Sequence, residues 1–242
     1  MSIEEMQADA EQLIPLLMQK YGKHKIFLMG HSWGSILGVK IAQRHPDWLY
    51  AYIGVGQLVN ALRNEEVGYA ETLAKAEAVG NSTAVRELRS LSPYPAADGS
   101  VPIGKVAVER KWDVLLGGML FGKAKDDAEK IRSLSPLYSK YDEASVSLGE
   151  LNSVKNLEPQ IARIDLSKDV SFRCPVFFFA GADDRTTPRS LVEEYFAMIQ
   201  APAKKLIIVE RAAHYVVNEA PGVVLVDLVR DVLPLSQASS KE

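Results

Sequence analysis

The sequence predicts an α/β fold in which a mainly parallel sheet is interrupted by a long helical insertion. Short apolar runs at residues 25–29, 50–55, 175–180 and 205–209 are bounded by turn residues, as strands buried on both faces are. Stretches of helical periodicity fall between these runs, so strand and helix alternate. Between residues 58 and 170 the strands give way to apolar residues such as Leu62, Val67, Leu73, Leu88, Val106 and Leu115, spaced at helical or irregular intervals. The expected division is a core of residues 1–57 and 171–242 and a helical lid or cap of residues 58–170.

Taken in order, Ser2 with Glu5 three residues later forms a capping box, and Ile3, Met6, Ala10, Leu13 and Leu17 then recur on one helical face, which predicts a first helix ending near Gly22. The run Lys25, Ile26, Phe27, Leu28, Met29 is the first buried strand and delivers the chain to Gly30. A helix from Gly34 to about Arg44 follows, then a strand from Tyr50 to Val55. Within the lid, Ser92-Pro93-Tyr94-Pro95 and Asp98-Gly99 are turn chemistry that divides it into pieces. The rhythm resumes with Pro175 to Ala180, a helix from Pro188 to Ile199, the strand Lys205 to Val209 and a last helix from Pro221 to Leu233. The polar tail after Pro234 is expected to fray.

Composition narrows the function classes. The chain has 242 residues and a formal net charge of -3, with no dense Lys/Arg block, which argues against nucleic acid as a partner. Its single cysteine, Cys174, rules out an intrachain disulfide and a Cys-cluster metal site and reads as a small buried hydrophobe beside Pro175. Residues 1–12 carry acidic groups where a signal peptide would carry a basic start, and no apolar run has the length of about 20 residues that spans a bilayer. A cytoplasmic protein with no membrane partner is expected.

The chemistry gathers at three loops. Gly30-His31-Ser32-Trp33-Gly34 is a G-x-S-x-G pentapeptide between a predicted strand and a predicted helix, the setting that holds a serine on a strained turn with its hydroxyl exposed. Each glycine is expected to avoid a collision with the neighbouring strand or helix. The backbone N–H of Trp33, at the helix start, is placed to stabilise an oxyanion. A serine hydroxyl needs a base and the base an orienting carboxylate. Of the four histidines, His24 lies in a polar turn, His31 inside the pentapeptide and His45 before Pro46 at a helix end. His214, in the loop after the strand ending at Val209, is the candidate base. Asp183 and Asp184 compete for the acid in the loop after Ala180; the spacing from Gly181 and Pro188 favours Asp184. The order Ser, Asp, His is that of α/β-hydrolases.

Residues 28–35 with Ala42-Gln43-Arg44-His45-Pro46, the segment from Gly181 to Pro188, and Ala213-His214 with Glu219-Ala220-Pro221 resemble the α/β-hydrolase superfamily, particularly its proline-iminopeptidase-like branch. That resemblance covers nearly the whole chain outside the lid. It implies an α/β-hydrolase fold, a Ser32, Asp184, His214 triad, a helical lid that shapes the acyl or amine pocket, a small-molecule or short-peptide substrate, and no cofactor or metal.

The sequence departs from the family in two places. Members of the family begin with further strands and a His-Gly-rich loop that gives the second oxyanion donor, whereas this chain starts at the helix before the nucleophile strand. The strand at residues 25–29 is therefore expected to be a hydrophobic edge, covered by a second copy or by a complementing N-terminal fragment. Iminopeptidase lids carry acidic residues for the substrate's free amine. Here Glu65, Glu66 and Glu71 occupy suitable positions without a recognisable lid motif, and the solvated face of an amphipathic lid helix is the favoured reading of them. Tyr69, Tyr94, Trp112 and Tyr138 are candidate pocket walls or lid core, and His31, Glu65 and Tyr69 are the candidate substrate contacts. Acyl transfer to water on an ester or an N-terminal aminoacyl amide is the leading expectation. A non-catalytic binding module and a hydroxynitrile-lyase reaction on the same triad are the alternatives. A serine at position 32 speaks against dehalogenase and epoxide-hydrolase chemistry, which use a carboxylate nucleophile.

Overall fold

The computed structural model describes residues 1–123, 133–136 and 140–238. Tyr138 and the end of the polar tail lie outside them. Four parallel strands form one sheet in the order β1 (Ile26–His31), β2 (Leu49–Val55), β3 (Val176–Gly181), β4 (Lys204–Val209). Because every pairing is parallel, all four strands end at the same rim of the sheet, and the loops that follow them meet there.

Strand alternation sorts the apolar side chains onto two faces. Tyr52, Val176, Phe178 and Ala180 pack with Val39 and Ala42 of α2 (Gly34–Arg44) and with Val192 and Tyr195 of α7 (Arg189–Met198). Ala51, Ile53, Val55, Phe177 and Phe179 face the other way, onto Val216 of α8 (Val216–Glu219), Val224 of α9 (Pro221–Asp227) and Val232. The last expected helix thus begins as α9, but Leu228–Val232 continue it as a π-helical turn, and Pro234–Ala238 form α10 where a frayed tail was expected. Cys174 is buried in the first of these two cores.

The opening helix α1 (Ile3–Tyr21) is capped as expected at one end: the Ser2 hydroxyl accepts from the Glu5 N–H at 3.1 Å, and Gly22 closes the other end in the left-handed region, φ 59°. The reciprocal half of the capping box is replaced by an ion pair between Glu5 and the N-terminal ammonium at 3.1 Å. β1 has one neighbour, β2, and lies at the edge of the sheet with Met29 exposed.

Between β2 and β3 lies a helical insertion whose described residues form α3 (Ala61–Ala78), α4 (Ser82–Arg89), α5 (Ile103–Leu115) and α6 (Lys140–Ile161), in the place of the expected lid. It has its own small core of Ala76, Ala84, Leu88, Leu91, Tyr94 and Trp112. Tyr94 and Trp112 are therefore lid core, one of the two readings that their sequence positions allowed. No described helix is long and apolar enough to cross a membrane.

Candidate active site

The turn after β1 holds Ser32 at φ 56°, a conformation that costs a side-chain-bearing residue about 1–3 kcal/mol. A buried polar network holds it there. The Ser32 N–H donates to the Val55 carbonyl at 2.9 Å, and the Ser32 carbonyl accepts from the Ser35 N–H at 2.9 Å and the Ser35 hydroxyl at 2.6 Å. Ser35 Oγ in turn accepts from the Leu58 N–H at 3.0 Å and from Gln57 Nε2 at 3.1 Å, while the Tyr52 hydroxyl donates to Gln57 Oε1 at 2.6 Å. Ser35, Tyr52 and Gln57 have no exposed surface.

Of the two glycines in the pentapeptide, one has the steric role expected. A Cβ on Gly30 would lie 2.8 Å from the Gly34 carbonyl oxygen and 2.9 Å from Ser35 Cα; a Cβ on Gly34 would meet nothing within 4 Å. The expectation for Gly34 is corrected: it opens α2 with its α-carbon facing empty space.

Ser32 Oγ lies 2.9 Å from His214 Nε2, and His214 Nδ1 lies 3.0 Å from Asp184 Oδ2. Asp184 and His214 are both buried. Asp184 is fully engaged: Oδ1 accepts from the Thr186 and Thr187 N–H groups at 2.9 and 2.8 Å, and Oδ2 from the Thr187 hydroxyl at 2.7 Å. These contacts leave an acceptor-only carboxylate facing the ring, which fixes Nδ1 as the protonated nitrogen and Nε2 as the acceptor for the serine. Asp183 is half-buried and meets the neighbouring loop through its backbone N–H, which donates to the Ala212 carbonyl at 3.0 Å. Gly56, φ 52°, gives the imidazole its room, since a Cβ there would crowd the ring at 3.1 Å.

Beside Ser32 opens a cavity of about 800 Å³, lined by Trp33, Leu58, Leu62, Val106 and Leu151 and, on its polar side, by Glu65, Arg110 and Glu158. Arg110 pairs with Glu65 and, at 2.7 Å, with Glu109, while the Tyr94 hydroxyl donates to Glu65. Burial pushes the Glu109 carboxyl up to about 7. Burial also raises Glu158, with the Glu65 charge adding to it; the Glu158 carboxylate has no ion pair or hydrogen bond among the described residues.

Glu65 thus reaches the cavity, whereas His31 and Tyr69 do not line it. His31 Nε2 is 2.9 Å from the His214 carbonyl oxygen, its ring packs 4.8 Å from the His214 ring, and burial holds its imidazole below the ordinary value. Tyr69 donates to the Leu88 carbonyl within the lid and packs against the Tyr94 ring. Glu66 lines a separate surface hollow beside Tyr69, and Glu71, raised by burial, lies outside the Ser32 cavity. Glu158 and Arg110 were missed by sequence reading because they lie on separate helices, α6 and α5, and nothing in the local pattern says which faces of two helices distant along the chain converge. The Trp33 N–H has no acceptor among the described residues and lies one residue from Ser32. Among the described residues, no group of three or more His, Cys, Asp or Glu side chains is arranged to hold a metal ion.

Residues 1–221 match the family model described as serine aminopeptidase, S33. The chain belongs to the serine aminopeptidase S33 family. A relative by sequence is a probable aminopeptidase, YbaC, of Bacillus subtilis strain 168, 28% identical over 225 residues, which are 92% of this chain and 70% of that protein. Among solved structures, VinJ superposes with a TM-score of 0.57 at 14% identity, over 92% of this chain and 71% of VinJ. The proline iminopeptidase-related protein of Thermus thermophilus gives 0.53 at 17% identity, over 91% and 69% of the two chains. These likenesses establish the α/β-hydrolase fold for this S33 member, and the family makes it a hydrolase.

Proposed function

We propose that this chain is a serine hydrolase that cleaves small carboxylic esters or N-terminal aminoacyl amides through an acyl-enzyme on Ser32. One observation carries the reading: a continuous relay in which Ser32 Oγ, His214 and Asp184 Oδ2 follow one another at 2.9 and 3.0 Å. In the first half-reaction Ser32 Oγ bonds to the substrate carbonyl carbon as its proton passes to His214 Nε2. The tetrahedral oxyanion is met by the Trp33 N–H. The intermediate collapses with loss of the alcohol or amine, which takes the proton from Nε2. In the second half, water gives its proton to Nε2, its oxygen bonds to the acyl carbon, and the Ser32 ester breaks with return of the proton to Oγ. Asp184 holds the imidazole in the Nδ1–H form and stabilises the imidazolium. No cofactor takes part in this scheme.

Of the two substrate classes, Glu158 favours the aminoacyl one: Arg110 already neutralises Glu65, whereas the Glu158 carboxylate at the cavity wall has no ion pair among the described residues and suits a protonated amine. A fluorophosphonate probe should label wild-type protein and fail to label Ser32→Ala. Aminoacyl anilides should then compete with p-nitrophenyl esters, and Glu158→Gln should raise KM for the anilides alone. A folded protein that neither labels nor turns over either substrate class refutes the reading and favours a non-catalytic binding role. We also propose that a second copy of the chain covers the β1 edge, the exposed Met29 being the supporting observation; a monomer by light scattering at working concentration refutes that.

A further inference from the structure

The loop that carries Asp184 and the loop that carries His214 are both fastened to the same stretch of lid, the strap of residues 113–121 that leaves α5. On the acid side, Asp113 Oδ1 accepts from Arg185 Nε at 3.1 Å and Asp113 Oδ2 from the Thr186 hydroxyl at 2.9 Å, while Arg185 Nη2 donates to the Leu116 carbonyl at 2.9 Å. On the base side, the backbone N–H groups of His214 and Tyr215 donate to the carbonyls of Gly118 and Met119, each at 3.3 Å. Glu219 closes the strap from below, its two oxygens accepting from the Phe121 N–H at 2.5 Å and the Ala213 N–H at 2.7 Å.

The arrangement is specific to these residues. Asp113 has no exposed surface and Arg185 almost none. Gly118 has no room for a Cβ, which would overlap the Asp113 carboxylate, and Gly68 of α3 would overlap the Arg185 carbonyl in the same way. An ion pair shut away from water in this manner gives back little stability for its desolvation; what it does give is a fixed geometry for the residues on either side, Asp184 and Thr186 among them.

We propose that Asp113 is a positioning residue: through Arg185 and Thr186 it sets the Asp184 loop from the lid, so that the imidazole is aligned on Ser32 only while the strap is seated. This inference rests on the serine-hydrolase reading above. It also makes a charge prediction. With Asp113 neutral, the Arg185 guanidinium loses its carboxylate beside Asp184 and opposes protonation of His214, so the acid limb of the pH profile moves down.

The test compares wild type, Asp113→Asn, Arg185→Gln and the double variant on a p-nitrophenyl ester. Asp113→Asn should lower kcat about 10- to 100-fold with KM changed by less than about twofold, and should shift the acid limb of kcat/KM to lower pH. The double variant, with both charges gone, should return that limb to its wild-type position. Folding is followed by the melting temperature, and alignment independently by the low-field proton resonance of His214 Nδ1, present in wild type and weakened in Asp113→Asn. Wild-type kcat and pH profile in a folded Asp113→Asn, or an unaltered Nδ1 resonance, would overturn the proposal. A wild type without esterase activity but with the Nδ1 resonance lost in Asp113→Asn would refute the hydrolase reading while supporting the strap.

Discussion

Replacing Ser35 by alanine removes the hydroxyl on which the elbow network converges, and the cost can be worked from its partners. The Leu58 N–H has no other acceptor in the network, so it becomes a buried orphan, worth about 1–3 kcal/mol. The other two losses are milder, because the Ser32 carbonyl keeps the Ser35 N–H and Gln57 Nε2 keeps the Leu58 carbonyl at 2.7 Å. Together the variant should lose about 2–3 kcal/mol, which for a domain of this size lowers the melting temperature by about 4–12 °C. Activity should fall as well, about tenfold, since the left-handed Ser32 is less firmly held and drifts from His214. Thermal unfolding and ester turnover measure the two effects. Tyr52→Phe strips the partner from Gln57 Oε1, and because both changes act on Gln57, a double-mutant cycle with Ser35→Ala should show coupling of more than about 0.5 kcal/mol. A Ser35→Ala protein that melts within about 1 °C of wild type, with full turnover, would refute the view that this hydroxyl carries the elbow.

Asp184→Asn should cost about 10,000-fold in kcat, by favouring the wrong imidazole tautomer, whereas Asp183→Asn should stay within about twofold; ester kinetics on the two variants separate the neighbouring carboxylates. Gly30→Ala should yield little folded protein because its methyl group meets α2 backbone, while Gly34→Ala should fold and melt like wild type or slightly higher, as read by circular dichroism. Glu109, whose carboxyl is pushed from 4.5 up to about 7, is held protonated in the fold more readily than in the unfolded chain. Its contribution to stability is therefore full below about pH 4.5 and is lost as the pH rises through 7, by at most about 3 kcal/mol. In Glu109→Gln the melting temperature should fall less between pH 5 and about pH 8 than in wild type.

The strand-and-helix rhythm of the core was legible because each buried strand is a short run of large apolar residues closed by a turn, as in Val176 to Gly181. Ser32 and His214 were legible for a similar reason, since a parallel sheet sends every post-strand loop to one rim. The choice of Asp184 over Asp183 rested on spacing alone; the coordinates show it as a matter of which side chain turns inward to Thr186, Thr187 and the imidazole. Spacing could not disclose that Gly34 faces empty space, because a glycine forced by contact and one free of contact look alike in a sequence. The Asp113–Arg185 pair, 72 residues apart, was hidden for a stronger reason. Charged residues on a lid helix normally face water, and only the seating of α5 on the acid loop buries this one. The same holds for Glu158, placed at the cavity by the docking of α6.

Placing the entire lid between β2 and β3 has a kinetic side. Ser32 leaves the first half of the sheet, while Asp184 and His214 come from the second, so the Tyr52 to Val176 pairing joins residues that the lid holds far apart along the chain. Closing so long a loop is slow relative to forming the helices within it. During refolding, helical content should therefore return well before any hydroxyl becomes nucleophilic, and a partly assembled chain carries no unguarded reactive serine through that interval.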